Sequence, residues 1–441
     1  MIQEKRKIPN SFNQKVWLLA VDMGYGHQRT AYPLRFLAFE GKIINANNYE
    51  GIPEFDRRTW ETSQRFYEFI SNFYRLPLIG KISFKIFDQF QKILSFYPKR
   101  DLSKPNLVLK QIYSLFKKGW GKDLIEKLKI KNEKLKRNLP LISTFFLPAF
   151  MAEFFNYPGE IFCVVCDADI ARTWAPLNPQ KSKIKYFVPN ERVVERLKLY
   201  GIKPENIFLT GFPLPQEIIG TEKMETLKGD LRRRMVNLDP QKRYFEKYKL
   251  LIEKNLGKLL GESDHPLTIM FSVGGTGAQK EIGVKIIKNL NDKIKTGQIK
   301  IILSAGIREK VKKYFEEKIK DLKPGKNIEI LYSNSIGDYF EKFNQALRKT
   351  DILWTKPSEL SFYSALGLPI IIAPPIGSQE EFNMRWLLKS GFGTLQENPS
   401  YTKEWLFDWL EKGYLAEMAM EGFIEGEKLG SFKISKIIST Q

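Results

Sequence analysis

The chain holds only two cysteines and two histidines in 441 residues. It has no uninterrupted apolar run of the ~18 residues that a membrane-spanning helix requires. Cys163 and Cys166 form a CxxC inside Ile161-Phe-Cys-Val-Val-Cys166, an apolar segment with no second ligand pair nearby. A structural zinc site needs such a second pair, so reduced core thiols are expected rather than zinc or redox chemistry. The opening Met1-Ile-Gln-Glu-Lys-Arg-Lys-Ile-Pro9 lacks the apolar core of a secretory signal. The expected location is cytoplasmic, peripheral on the inner face of a membrane at most. Acidic residues are in deficit, 50 against 71 Lys+Arg, which leaves a net charge of +21. That excess favours a polyanionic partner, nucleic acid or an anionic lipid surface. No nucleic-acid-binding module accompanies the charge, so nucleic acid is not expected.

What is present bounds the architecture. A hydrophobic content of 43% with 13% aromatics excludes a mainly disordered chain. The length calls for two domains of about 200 residues each. Apolar runs with strand character stand at 16–21, 42–46, 141–146, 161–166, 184–188 and 207–210, separated by helical stretches. Around Gly211-Phe-Pro-Leu-Pro215 the alternation stops, and a basic helical segment follows to about Gly261. A second series then begins, with strands at 267–273, 299–304, 328–332, 352–354 and 369–373. The expected fold is α/β, two doubly wound parallel sheets. The expected division is 1–215 with a helical insertion at about 55–138, a linker at 216–261, a second domain at 262–404, and C-terminal helices at 405–441 that cross back to the first domain.

The insertion concentrates the charge. Between Trp60 and Trp120 there are 14 aromatics, 11 basic residues and 4 acidic ones. Ile79, Ile82, Ile86, Phe90, Ile93 and Leu94 fall near helical spacing, with Lys81, Lys85 and Lys92 on another face. Two readings stand: an amphipathic helix resting in a lipid interface, and a core-packed helix with solvated lysines.

Chemistry concentrates at strand-to-helix turns. Val21-Asp-Met-Gly-Tyr-Gly-His27 follows the first strand and precedes an apolar-periodic segment from Ala31 to Ala38. Gly24 and Gly26 allow a ligand to approach the backbone closely. His27 at a helix start is disfavoured as imidazolium and suits a general base, or it caps the helix. Phe271-Ser-Val-Gly-Gly-Thr-Gly-Ala-Gln279 ends a strand and opens a helix, which places backbone amides and Thr276 where a diphosphate is cradled. Further on, Asp351-Ile-Leu-Trp-Thr-Lys-Pro-Ser-Glu-Leu-Ser361 and Gly367-Leu-Pro…Gly-Ser-Gln-Glu-Glu-Phe-Asn383 bring hydroxyls, carboxylates and amides to the carboxyl edge of one sheet, where ligands bind. Asp167-Ala-Asp169 forms a DxD after a buried strand. Two carboxylates of this kind suit magnesium with substrate phosphates, but the two-domain pattern with its own glycine loop argues against that role, and no metal is expected. Asp167 orients His27 or the acceptor, or is a strand-end structural carboxylate. His265, in a Pro-flanked loop, is expected to lie outside the site.

The ordered series GxGH, GGxGAQ, TKPxxL and GLP…P…GxQExxN resembles the GT-B glycosyltransferases. It is most similar to the monogalactosyldiacylglycerol synthase and processive diacylglycerol glucosyltransferase group, and more distantly to the peptidoglycan N-acetylglucosaminyltransferase. Val165-Cys-Asp167, Arg172-Thr-Trp174, Phe187-Val-Pro-Asn-Glu191 and Gly211-Phe-Pro213 add to the likeness, which covers roughly 15–50 and 140–395. It implies that His27 takes a proton from the attacking hydroxyl, with Gly24 and Gly26 on the acceptor side. It implies that Gly274, Gly275, Thr276 and Gly277 lie beside the donor diphosphate, with Lys356 and Ser358 in the donor pocket. Gln379, Glu380 and Asn383 correspond to the loop that grips the donor sugar. The family's KPGG and SEAL elements are altered here: Ser364 stands at the expected ribose-binding glutamate, and Glu359 is the candidate replacement, or else an exposed helix-cap carboxylate.

The implied activity is an inverting, metal-independent transfer of a sugar from a nucleoside diphosphate, UDP in the relatives, to a hydroxyl, with a membrane lipid as the candidate acceptor. The nucleotide sugar is a co-substrate, and no cofactor is expected. The alternatives are a catalytically inactive GT-B-fold protein that binds nucleotide or glycan, and a nucleotide-sugar epimerase on the same fold. If Glu359 holds the ribose, Glu359→Gln is expected to weaken nucleoside diphosphate binding by about tenfold with stability little changed.

Overall fold

Continuous apolar runs, rather than alternating ones, mark strands buried on both faces, as in parallel sheets flanked by helices. The computed structural model describes residues 14–62, 93–259, 261–275, 277–320, 322 and 326–440. The first sheet contains β1 (Val16–Ala20), β2 (Ala38–Asn45), β3 (Leu141–Ser143), β4 (Ile161–Val164), β5 (Lys185–Val188) and β6 (Ile207–Leu209), in the order β2-β1-β3-β4-β5-β6. The second contains β7 (Leu267–Ser272), β8 (Ile299–Gly306), β9 (Ile328–Tyr332), β10 (Ile352–Thr355), β11 (Ile370–Ile372) and β12 (Gly393–Leu395), in the order β12-β11-β10-β7-β8-β9. Every strand pairing is parallel. These are the two doubly wound sheets of a GT-B-like α/β fold.

Both orders reverse direction once, and each reversal opens a crevice at the carboxyl ends of two neighbouring strands. In the first sheet the reversal lies between β1 and β3, registered Leu19 to Ser143. In the second it lies between β7 and β10, registered Ser272 to Thr355. The turns that follow these four strands are therefore brought together in pairs.

The two faces of β1 feed separate clusters. Trp17, Leu19 and Val21 join the main core, while Val16, Leu18 and Ala20 pack with Phe162, Phe187, Ile434 and Ile438. Ile434 and Ile438 belong to the helix Gly430–Ser439, so the end of the chain lies on the first sheet although it follows the second. Ser431 Oγ donates to the Leu214 carbonyl at 2.6 Å and secures it there.

Three details differ from the sequence pattern. The helical segment after the first glycine turn is Gly26–Ala31, continued by a 3-10 turn at Tyr32–Leu34 with Pro33 near its start, and Ala38 already begins β2. The apolar spacing over 31–38 thus reports a buried crossover, not one helix. β12, Gly-Thr-Leu, lies outside the apolar runs of the sequence and adds a strand to them. In the insertion, Trp60 and Trp120 meet edge-on at 5.0 Å, both buried. The helix Leu107–Lys117 lies within the insertion. Ile79, Ile82, Ile86, Phe90, Lys81, Lys85 and Lys92 lie outside the described residues, whereas Ile93 is buried. Among the described residues no helix is long and apolar enough to cross a membrane.

Candidate active site

The first crevice holds the histidine. After β1 the chain turns through Gly24, at φ +90°, into the short helix that carries His27. Thr144 directly follows β3 and faces it. His27 Nδ1 lies 2.7 Å from the Thr144 carbonyl oxygen, which can only accept, so Nδ1 carries the proton and Nε2 the lone pair. The Thr144 hydroxyl returns a bond to the His27 carbonyl at 2.9 Å, which locks the helix start to the neighbouring strand. Burial pushes the imidazole pKa down to about 4, against the opposing pull of the Thr144 carbonyl and the Glu359 carboxylate. The ring rests 4.6 Å from Phe145 and 6.4 Å from Trp174. Cys166 brings its Sγ to 3.5 Å from Nδ1, its thiol pushed well above the usual range by burial.

The second crevice holds the glycine turn. Gly274 adopts φ +70°, and a Cβ there would come within 2.9 Å of Lys356 Cε, so the turn after β7 and the turn after β10 are in contact. Lys356 pairs with Glu380, whose other oxygen accepts the Ile376 N–H at 2.7 Å. Gln279 Nε2 donates to the Pro374 carbonyl at 2.8 Å and draws the glycine loop toward the turn after β11. Gly277 closes the turn with its N–H on the Gly274 carbonyl at 3.2 Å.

The two crevices face each other across a cleft of about 440 Å³. Gly24, Gly26, His27, Asp167, Gly274, Gly275, Lys356, Ser358, Glu359, Gln379, Glu380 and Asn383 all line it. Gly277 sits behind the turn, toward Val311, and Thr276 lies outside the described residues. Val108, Ile112, Leu115, Phe146 and Leu147 give one side of the cleft an apolar wall, part of it from the helix Leu107–Lys117.

Several polar groups on the second side are engaged by the first. Asn383 Oδ1 accepts the Ala168 N–H at 2.7 Å, and its Nδ2 lies 3.2 Å from Asp167 Oδ1 and 3.3 Å from the Pro357 carbonyl. Glu359 receives Arg29 Nε at 3.1 Å. Burial, with Glu359 and Glu380 nearby, lifts the Asp167 pKa to about 6 even though the Asn383 amide favours its charged form. Asp169, the other carboxylate of the DxD, is gripped by Arg196 through Nε at 2.8 Å and Nη2 at 2.7 Å. The two carboxylates are thus in different service. Ser364 is fully buried, its hydroxyl on the Ser361 carbonyl at 2.8 Å and its backbone packed against Gly422, and it is not part of the cleft lining. His265 lies away from the cleft between Asp264 and Asp351; burial disfavours its charge, but the two carboxylates hold its pKa above the ordinary value.

The sequence pattern does not single out Tyr25, Arg29 or Thr144, and it marks Cys166 as a reduced core thiol, which the buried free cysteine is, without placing it beside His27. Tyr25 and Arg29 lie within or just after the GxGH motif, so their proximity to it was the available signal. The Thr144 contact is made largely by a backbone carbonyl and leaves no trace in side-chain pattern.

A family model described as a domain of unknown function (DUF6938) matches residues 260–327. The chain is 25% identical over 293 residues to a processive diacylglycerol beta-glucosyltransferase of Bacillus licheniformis, covering 62% of this chain and 64% of that protein. It is 22% identical over 380 residues to a protein of the same name from Bacillus pumilus, covering 84% and 80%. The chain thus spans just under two thirds of the length of the first of these relatives. Among solved structures, MurG of Acinetobacter baumannii aligns at 13% identity and TM-score 0.43, over 72% of this chain and 77% of that one. The UDP-GlcNAc 2-epimerase of Neisseria meningitidis bound to UDP-GlcNAc aligns at 14% and 0.45, over 77% and 84%.

Proposed function

We propose that this chain, which resembles the GT-B glycosyltransferases of the processive diacylglycerol glucosyltransferase group, transfers a sugar from a nucleoside diphosphate to a lipid hydroxyl with inversion. The observation that carries the proposal is the state of His27. Its Nδ1 proton is committed to Thr144, its pKa is held near 4, and it lines the cleft. The imidazole is therefore a neutral base at physiological pH with Nε2 available to an acceptor hydroxyl. Asp167, charged above about pH 6, stabilises positive charge arriving on that side of the cleft. The Gly274–Gly275 turn supplies backbone amides for the departing diphosphate, and fixed dipoles of this kind act on charge as it develops. Gln379 and Ser358 line the same side for the sugar and nucleotide. The apolar wall from Val108 to Leu147 fits an acyl chain better than a soluble sugar.

A reading in which the fold only binds a nucleotide or glycan draws support from one observation: Glu359, Glu380 and Asn383 each already have protein partners. Incubation with radiolabelled UDP-glucose and diacylglycerol vesicles separates the two. Labelled lipid, lost in His27→Ala, supports transfer. Saturable UDP binding with no labelled product from any nucleotide sugar and lipid pair supports binding alone.

A further inference from the structure

Tyr25 leaves its own half of the molecule. It stands on the turn after β1, yet its ring is buried against the helix Ile336–Leu347 that follows β9, 5.2 Å from Tyr339 and edge-on at 6.2 Å to Phe340. Its hydroxyl oxygen accepts the Ile307 N–H at 2.9 Å. The fit is close on two sides. A Cβ on Gly306 would fall 2.2 Å from the phenol oxygen, and one on Gly275 would fall 2.9 Å from the Tyr25 nitrogen. Gly306, the Tyr339 and Phe340 rings and the inward Ile307 amide make a slot that takes a flat ring with an acceptor on its edge, while Gly275 seats the Tyr25 backbone.

The place of the slot matters as much as its shape. It lies where β7 and β8 end side by side, registered Ser272 to Ser304, next to the Gly274–Gly275 turn. In a sheet with this strand order, phosphates sit on the turn after the first strand and the nucleoside extends toward the end of the second. β7 and β8 are those two strands. Arg29, one helical turn beyond Tyr25, holds the two halves together through Glu359 and the Phe343 ring, 4.2 Å from its guanidinium carbon. The contact between the halves therefore does not depend on the phenol alone.

We propose that Tyr25 is a specificity-determining plug: it fills the ring end of the donor site, and a nucleoside diphosphate must displace the phenol from the Ile307 amide before its own ring seats. A bare diphosphate binds with Tyr25 in place. The inference rests on the donor site assigned under the proposed function.

Calorimetric titration of UDP, ADP and inorganic pyrophosphate into the full-length chain, Tyr25→Phe and Tyr25→Ala tests it. Removing a competing ring and its hydrogen bond is expected to tighten nucleoside diphosphate binding by about tenfold in Tyr25→Ala and about threefold in Tyr25→Phe, with pyrophosphate unchanged. Tyr25→Phe keeps the ring and carries the test by itself if Tyr25→Ala fails to fold. Nucleoside diphosphate binding that is weakened by, or indifferent to, these changes overturns the plug and leaves the donor site standing. A gain shared equally by pyrophosphate also overturns it, since the effect then lies outside the ring slot. Absence of nucleoside diphosphate binding in every form overturns both the plug and the donor site.

Discussion

The Arg29 guanidinium, just past the turn after β1, meets the Glu359 carboxylate, on the turn after β10, at 3.1 Å with side-chain exposures of 3% and 10%. The pair bridges the two sheets beside the cleft. The guanidinium also lies over the rings of Phe340 and Phe343, at 4.7 and 4.2 Å. Flat aromatic faces and a carboxylate suit Arg better than Lys, whose charge is a compact point.

This pair changes what Glu359→Gln is expected to do. From sequence alone the substitution spares stability; with Arg29 buried against it, removing the negative charge leaves an uncompensated cation and is expected to cost about 3–5 kcal/mol. Urea denaturation measures it. A double replacement, Arg29→Met with Glu359→Leu, is expected to recover most of that loss. Equal stability of Glu359→Gln and the unmodified chain would show that the pair contributes nothing.

His27→Ala is expected to lower turnover by about 100-fold or more while donor binding is largely kept. Its pH signature is distinctive. An imidazole held near 4 keeps its base form through mild acid, where an ordinary histidine is half protonated at about 6.5. Turnover limited by His27 alone therefore falls only as pH approaches 4. A decline centred at 6.5 that vanishes in the variant would assign His27 an ordinary pKa.

Asp167 gives an opposite signature. Its folded pKa is raised to about 6, so the folded state binds a proton more tightly than the unfolded chain. The stability this provides is fully present below the unfolded pKa of about 3.9 and is lost as pH rises through 6. Asp167→Asn, which keeps an oxygen for the Asn383 amide, is expected to stabilise the protein by up to about 3 kcal/mol at pH 8 and by almost nothing at pH 3.5. Thermal unfolding at the two pH values reads the difference, and a gain that does not depend on pH would point to packing rather than charge.

If the acceptor is a membrane lipid, the basic insertion is expected to bind anionic vesicles more tightly than neutral ones and to release them as salt shortens the screening length from about 10 Å at 0.1 M. Replacing Lys81, Lys85 and Lys92 with glutamine is expected to weaken that binding further. Sedimentation with phosphatidylglycerol and phosphatidylcholine vesicles measures both. Equal binding to the two lipids would remove the electrostatic contribution.

The eleven strands anticipated from apolar runs correspond to β1 to β11; the inner ones are legible because a parallel strand covered on both faces must be apolar along its length, whereas β2, β6 and β9 lie at sheet edges and are only partly buried. β12, a Gly-Thr-Leu edge strand registered on Ile370 to Ile372, has too little side chain to announce itself. The glycine turns were legible for a related reason: at Gly24 and Gly274 the positive φ needs glycine. Ser364 shows the limit of aligning by position. By motif order it stands where the relatives carry a glutamate, and the 3-10 turn Glu359–Leu366 buries it beneath Gly422 while Glu359 lines the cleft.

By itself the sequence determined the alternation of strands and helices, the two glycine turns and the single histidine beside the first of them, since each is written in local composition and spacing. Only the tertiary structure decided how those turns meet. The Tyr25 contact with Ile307, the Arg29 pair with Glu359 and the Asn383 bond to Ala168 each join residues separated by more than two hundred positions. No local propensity encodes such contacts. They exist because two sheets, each reversing direction once, place their crevices face to face. His27, by contrast, is enclosed by residues of its own half, Thr144, Phe145, Cys166 and Trp174, and that burial depresses its pKa and leaves it a neutral base.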